Sequence, residues 1–209
     1  MSDPDKPISC AETGSAGATS DRRLFMQLLA YRGAHDPDAL AQALETAEGP
    51  GVLYLDLHDP TGVAIVAAHE DPAFFVTDWR QRMTARPFAD LTARPELTMF
   101  GRTYAIGYES DLDETLIHKP PRTLTNPDAT WAVWYPLRRK PGFDRLDRET
   151  RMNILKEHGG IGRRFAQSGA AADIRLACHG LDRADNDFVI GLTGPDLTPL
   201  SKLVETMRG

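Results

Sequence analysis

Apolar positions along this chain recur with two periods, and the switching between them lays out the elements. Residues 24–31 (Leu-Phe-Met-Gln-Leu-Leu-Ala-Tyr) form a mostly apolar run of strand length. Over 37–47 the spacing changes: Leu40 and Leu44 share one helical face, Asp36 suits an N-cap and Pro37 a first turn. Gly49-Pro-Gly51 stops that helix. A strand over 52–57, a turn at Asp59-Pro-Thr-Gly62 and a strand over 63–68 make a hairpin. Asp71-Pro72 opens a helix to about Met83, with Phe74, Phe75 and Trp79 on or near its apolar side. Residues 98–107 read as a further strand. Residues 109–130 read mostly as a long connection, punctuated by Pro120-Pro121 and Asn126-Pro127.

The second half repeats the plan: a strand over 130–137, a helix over 148–167 capped by Asp147, and strands over 174–179 and 188–192 joined by a polar turn at 182–187. A last helix covers 198–207. Both halves therefore read β-α-β-β-α, the ferredoxin-like order, with no sequence repeat beyond it. The expected organisation is a tail over 1–20, an N-terminal half over 21–110, a connecting loop over 111–130 and a C-terminal half over 131–209. Two such units can pool their sheets into a barrel-like α+β core with helices outside.

Composition narrows the class. The 209 residues are 41% hydrophobic and 26% charged, ordinary for a water-soluble chain, and the net charge of -6 argues against a nucleic-acid partner. No apolar run approaches the roughly 20 residues of a membrane span. Residues 1–20 are rich in Ser, Asp, Gly, Ala and Pro, which predicts a disordered tail and not a signal peptide. Cys10 lies in that tail and Cys178 in a strand, so neither a structural disulfide nor a zinc site is expected, and a reducing cytoplasm fits.

Several residues could carry chemistry. His158 falls in the stripe marked by Met152, Leu155, Ile161 and Phe165. A core-facing histidine can ligate a metal or simply hydrogen-bond to backbone, and spacing alone favours the second. Tyr135 lies in Trp131-Ala-Val-Trp-Tyr-Pro-Leu-Arg-Arg139. Taken alone it is a half-buried strand aromatic. Arg138 and Arg139 can hold carboxylates in bidentate fashion or merely end a strand in solvent. Arg102 is placed on a strand, and Asp173 and Arg175 alternate on one strand face. His118 sits in the Pro-rich connection. His35, His58, His69 and His179 read as surface or turn residues.

Trp-Tyr-Pro-Leu-Arg-Arg and Leu155-Lys-Glu-His-Gly-Gly-Ile-Gly-Arg163 together resemble the chlorite dismutase superfamily, over about residues 98–208. With His118 added, the pattern looks most like its coproheme decarboxylase branch, of the actinobacterial type. The resemblance implies a dimeric α+β barrel in which His158 is the proximal haem ligand and the glycines beside it leave room for a flat macrocycle. It implies that Tyr135 forms a tyrosyl radical, that His118 is the distal base acting on hydrogen peroxide, and that Arg138 and Arg139 hold propionates, with Arg102 a further candidate. The cofactor or substrate would be haem b or iron coproporphyrin III, and the product of the decarboxylase haem b. Other branches carry their distal residue near Asp173, with Arg175 out of register by two.

The same resemblance leaves rival activities: a chlorite dismutase or general haem peroxidase, which needs a distal arginine, a non-catalytic haem carrier or sensor, or a related barrel without haem. It implies a homo-oligomer, a pentamer by preference and a dimer in shorter members. Two departures stand out. Phe143 and Asp144 replace a Trp-Tyr pair common in the family. Met207-Arg208 is followed by Gly209 where many members continue to an acidic partner of the proximal histidine, so the expectation is that another group replaces that partner or that the iron chemistry is weakened.

Overall fold

A computed structural model describes residues 8–45, 51–139 and 142–208. In chain order the elements are β1 (Glu12–Thr13), β2 (Thr19–Ser20), β3 (Phe25–Arg32), α1 (Pro37–Glu45), β4 (Gly51–Leu55), β5 (Val63–His69), α2 (Asp78–Met83), β6 (Thr92–Ala93), β7 (Met99–Thr103), α3 (Lys119–Leu124), β8 (Trp131–Leu137), α4 (Arg148–Gln167), β9 (Ala172–Ala177), β10 (Phe188–Gly194) and α5 (Leu197–Arg208). The Gly49-Pro50 helix stop and residues 1–7 of the expected tail lie outside the described residues.

The main sheet is antiparallel throughout and runs β4-β5-β3-β7-β9-β10-β8, with β6 paired to β3. Its first four strands have the ferredoxin-like order, and the last three repeat that order without a fourth strand. The two halves meet at a seam of two residue pairs, Arg102 with Ala177 and Thr103 with Leu176.

Strand alternation divides the apolar side chains between two faces. On one face Met26, Leu28, Val66, Ala68, Ile174, Leu176 and Val189 join a single core with Leu112, Leu116 and Leu124. Val52 and Tyr54 of β4 and Trp134 of β8 pack on that same core, although these strands lie at opposite ends of the sheet. One core thus spans the whole inner face of the sheet. The outer face is covered by helices. Leu40, Leu44, Phe75 and Trp79 pack with Tyr31 and Ile65 in the first half, and Leu200, Leu203 and Ile161 pack with Leu192 in the second. This is the expected mixed α+β fold.

Three expectations change. Residues 12–20 are folded: β1 and β2 pair, and the Glu12 carboxylate accepts from Ala105 N–H at 3.0 Å and pairs with Arg102 and Arg23. The expected helix over 72–83 is broken at Thr77 (φ -114°, ψ -99°), whose N–H and hydroxyl both turn back to the carbonyl of Ala73 and end a first 3₁₀ turn, Pro72–Val76. The connection over 109–130 contains a π-helical turn, Glu114–His118, running into α3, with Pro120 and Pro121 in the first turn, where a missing N–H costs nothing. Its Leu112, Leu116, Ile117 and Leu124 plug the inner core. Among the described residues no helix is long and apolar enough to cross a membrane.

Candidate functional site

Residues directly opposed in a ladder point to the same side of the sheet, so register decides which side chains gather. Ile190 opposes both Arg175 and Tyr135, and Leu192 opposes both Asp173 and Val133. Tyr135, Arg175 and Asp173 therefore share the outer face of the second half, the face α4 and α5 cover. Arg102 opposes Ala177 and lies on the same face.

At the start of β9 these positions form an ion network. Lys119 Nζ donates to Asp173 Oδ1 at 2.7 Å, and Arg175 Nε lies 3.3 Å from Asp173 Oδ2. Arg175 Nη2 reaches Glu109 Oε1 at 3.5 Å. Glu109 is buried and is held by the N–H groups of Ile106, Gly107 and Tyr108. Burial works to raise the Asp173 carboxyl, but Lys119 and then Arg175 outweigh it and hold it below the usual carboxylate range. Arg175 also lies over the Tyr104 ring, 5.9 Å from its centroid. Lys119, Asp173, Arg175, Tyr104 and Thr115 line a cavity of about 20 Å³.

Tyr135 is half-buried among Ile161, Leu192, Leu200 and Met207. Burial pushes its phenol above the ordinary value, Arg208 opposes this and Asp173 adds to it. It is a neutral phenol at physiological pH.

His158 lies on α4, whose start is fixed by the Asp147 side chain accepting from Thr150 N–H at 2.9 Å. The apolar stripe predicted His158 to face the core, but it is exposed. The apolar partners of α4 (Ala171, Leu192, Leu200 and Leu203) gather around Ile161 and Phe165, further along the helix, and leave the histidine's turn in solvent. Nδ1 of His158 is 3.0 Å from the carbonyl of Ile154. That contact assigns Nδ1 as the N–H donor and leaves the Nε2 lone pair available to a metal. Next to it, a Cβ on Gly160 would meet nothing within 4 Å, whereas one on Gly159 would come within 2.7 Å of the Tyr108 hydroxyl.

The remaining candidates separate. His118 is exposed at the end of its helical turn, while its neighbour Lys119 reaches Asp173. Arg102 is paired with Glu12. Arg138 donates to the carbonyl of Ala184. Arg139 stacks its guanidinium on Phe188 (4.8 Å) and Phe143 (5.1 Å). Lys119, Glu109, Tyr104 and Tyr108 were not singled out from sequence. Tyr104 was recoverable, because it follows Arg102 by one strand repeat.

Two ferredoxin-like units joined edge to edge in one antiparallel sheet, with helices on its outer face, define a mixed α+β fold. A family model described as chlorite dismutase matches residues 64–209, and the chain belongs to that family. Solved structures of similar fold include a novel heme-binding protein from Thermus thermophilus, 18% identical, with TM-score 0.66 over 90% of this chain and 83% of that one. Chlorite dismutase from Candidatus Nitrospira defluvii, in complex with imidazole, is 15% identical with TM-score 0.65, over 90% of this chain and 84% of that one. At such identities the likeness shows the fold alone. No curated protein sequence matches the chain.

Proposed function

We propose that this protein is a haem-binding oxidoreductase that uses hydrogen peroxide to decarboxylate iron coproporphyrin III to haem b. The observation that carries it is the His158 ring, with Nδ1 bound to the Ile154 carbonyl and Nε2 free, on a helix flanking the sheet face that bears Tyr135. The donor set fits a porphyrin. Among the described residues no three His, Cys, Asp or Glu side chains are grouped to hold a bare ion, and a single histidine suits an axial ligand to a metal held by a macrocycle.

In this reading His158 holds the iron. The carbonyl of Ile154 does the orienting job that an acidic partner does in many relatives. The cationic strand end at Arg138 and Arg139 receives propionates by charge-assisted bonds. When bound, the iron porphyrin supplies the one-electron oxidising power, with peroxide as terminal oxidant. Tyr135, kept protonated by burial, gives up an electron and a proton and then takes hydrogen from a propionate side chain. His118 and the Lys119-Asp173 pair are the polar groups available to handle peroxide protons. Each propionate that becomes a vinyl group releases carbon dioxide, one proton and two electrons, which matches the two electrons one peroxide accepts. A dismutase of chlorite needs a guanidinium free to hold an anion, and Arg175 is engaged by Asp173 and Glu109.

The test is to mix the protein with ferric coproheme, titrate hydrogen peroxide and follow the porphyrin by mass spectrometry. Two successive decarboxylations, lost in Tyr135→Phe, are expected. Binding that yields only bleaching overturns the decarboxylase assignment.

A further inference from the structure

The ion network at the start of β9 has a balanced charge. Two cations, Lys119 and Arg175, meet two carboxylates, Asp173 and Glu109, at separations of 2.7, 3.3 and 3.5 Å. Asp173 is the shared member, with one oxygen on each cation. The cavity that Asp173, Lys119 and Arg175 line with Tyr104 and Thr115 measures about 20 Å³ and is partly open to solvent, so it seats one small molecule that can extend outward.

Charge and size together select what enters. A small anion would be drawn by Lys119 and Arg175, but would meet the Asp173 carboxylate at contact range and would have to displace it from both. A neutral hydroxylic molecule meets no such conflict. It donates to the carboxylate and accepts from the ammonium at once, and leaves the ion pairs in place. Glu109 cannot compensate for a lost Asp173, because its carboxylate is already committed to three backbone N–H groups and its ion pair is with Arg175.

From this we infer that Asp173 is a specificity-determining residue: by pairing with both Lys119 and Arg175, with Glu109 supplying the second negative charge, it makes the cavity receptive to a small neutral hydroxylic molecule, water or hydrogen peroxide, and unreceptive to a small oxyanion such as chlorite. The inference rests on the peroxide-dependent reading for what the cavity serves, but not for how its charges balance.

The experiment uses the porphyrin-free protein and sodium nitrite, a bent triatomic anion like chlorite, titrated calorimetrically at constant ionic strength and neutral pH. The parent and Asp173→Glu show no saturable binding. Asp173→Asn gains nitrite affinity by at least about tenfold, the scale of one uncompensated charge at such range. Adding Lys119→Met to Asp173→Asn removes the gain. Saturable nitrite binding by the parent overturns the inference by itself, whether or not a variant folds, and so does a folded Asp173→Asn protein with no gain. Asp173→Ala makes the same charge change where the Asn variant does not fold. Coproheme uptake by the same samples, followed by absorption, reports separately. The nitrite pattern without uptake upholds the charge assignment and overturns the haem reading.

Discussion

A histidine becomes a well-directed metal ligand when its other ring nitrogen is already engaged, and in this chain a backbone carbonyl one helical turn back does the engaging. His158→Ala is therefore expected to abolish the absorption change on mixing with ferric coproheme while leaving the fold intact, since the side chain is exposed. Asp173 gives a second expectation at this scale. Its folded-state carboxyl is held below the ordinary value of about 4, so it contributes stability above that pH and loses it as acid titrates the folded group. Denaturant midpoints of the parent should fall from about pH 4 downward, and Asp173→Asn should flatten that acid limb. That Asp173 and Arg175 share a strand face was legible from alternation, whereas His158 was expected in the apolar stripe of its helix and is exposed. Lys119 was not legible. Two prolines directly after it mark a connection as readily as a first helical turn, and only tertiary packing of Leu116 and Leu124 decides for the helix.

Elements were legible where period and caps agreed. Asp36 and Asp147 both accept from backbone N–H groups at the predicted helix starts. Legibility failed where a local hydrogen bond competed with the pattern, as at Thr77, or where a polar segment is held by the rest of the fold, as at Glu12. Composition registers solubility and cannot register that Glu12 satisfies Arg102, Arg23 and the Ala105 N–H together. Glu12→Ala should lower stability by about 1 kcal/mol in denaturant unfolding, because it strands part-buried partners. At the junction of β7 and β9 packing leaves no room for a side chain. A Cβ on Gly101 would come within 2.7 Å of Cys178 Sγ and 2.9 Å of Leu176 Cβ. Gly101→Ala is expected to cost about 1–3 kcal/mol by overpacking, measured the same way.

At the scale of the whole molecule, the inner core runs without interruption from β3 and β5 to β9 and β10, and the connection over 109–130 seals it. The outer face is different. It is covered by two separate helix pairs with separate apolar clusters; Tyr135 packs in the second, and the ion network joins Asp173 and Arg175 of the second half to Glu109 of the first and Lys119 of the connection. The motifs that carried the family resemblance lie in the second half, while the first half was recognisable by element order and, less specifically, by Gly51-Val-Leu-Tyr-Leu-Asp.

The seam between the halves holds a last consequence. Five strands on one side are zipped to each other, three on the other, and only two rungs of ladder cross between. Backbone amides near such a crossing open without unravelling either side, so the molecule is expected to breathe as two cooperative blocks. Native-state hydrogen exchange should resolve β3, β5 and β7 from β10 and β8 as separately protected sets. A single shared opening energy for all of them would mean that the continuous inner core, and not the ladder, sets the unit of cooperativity.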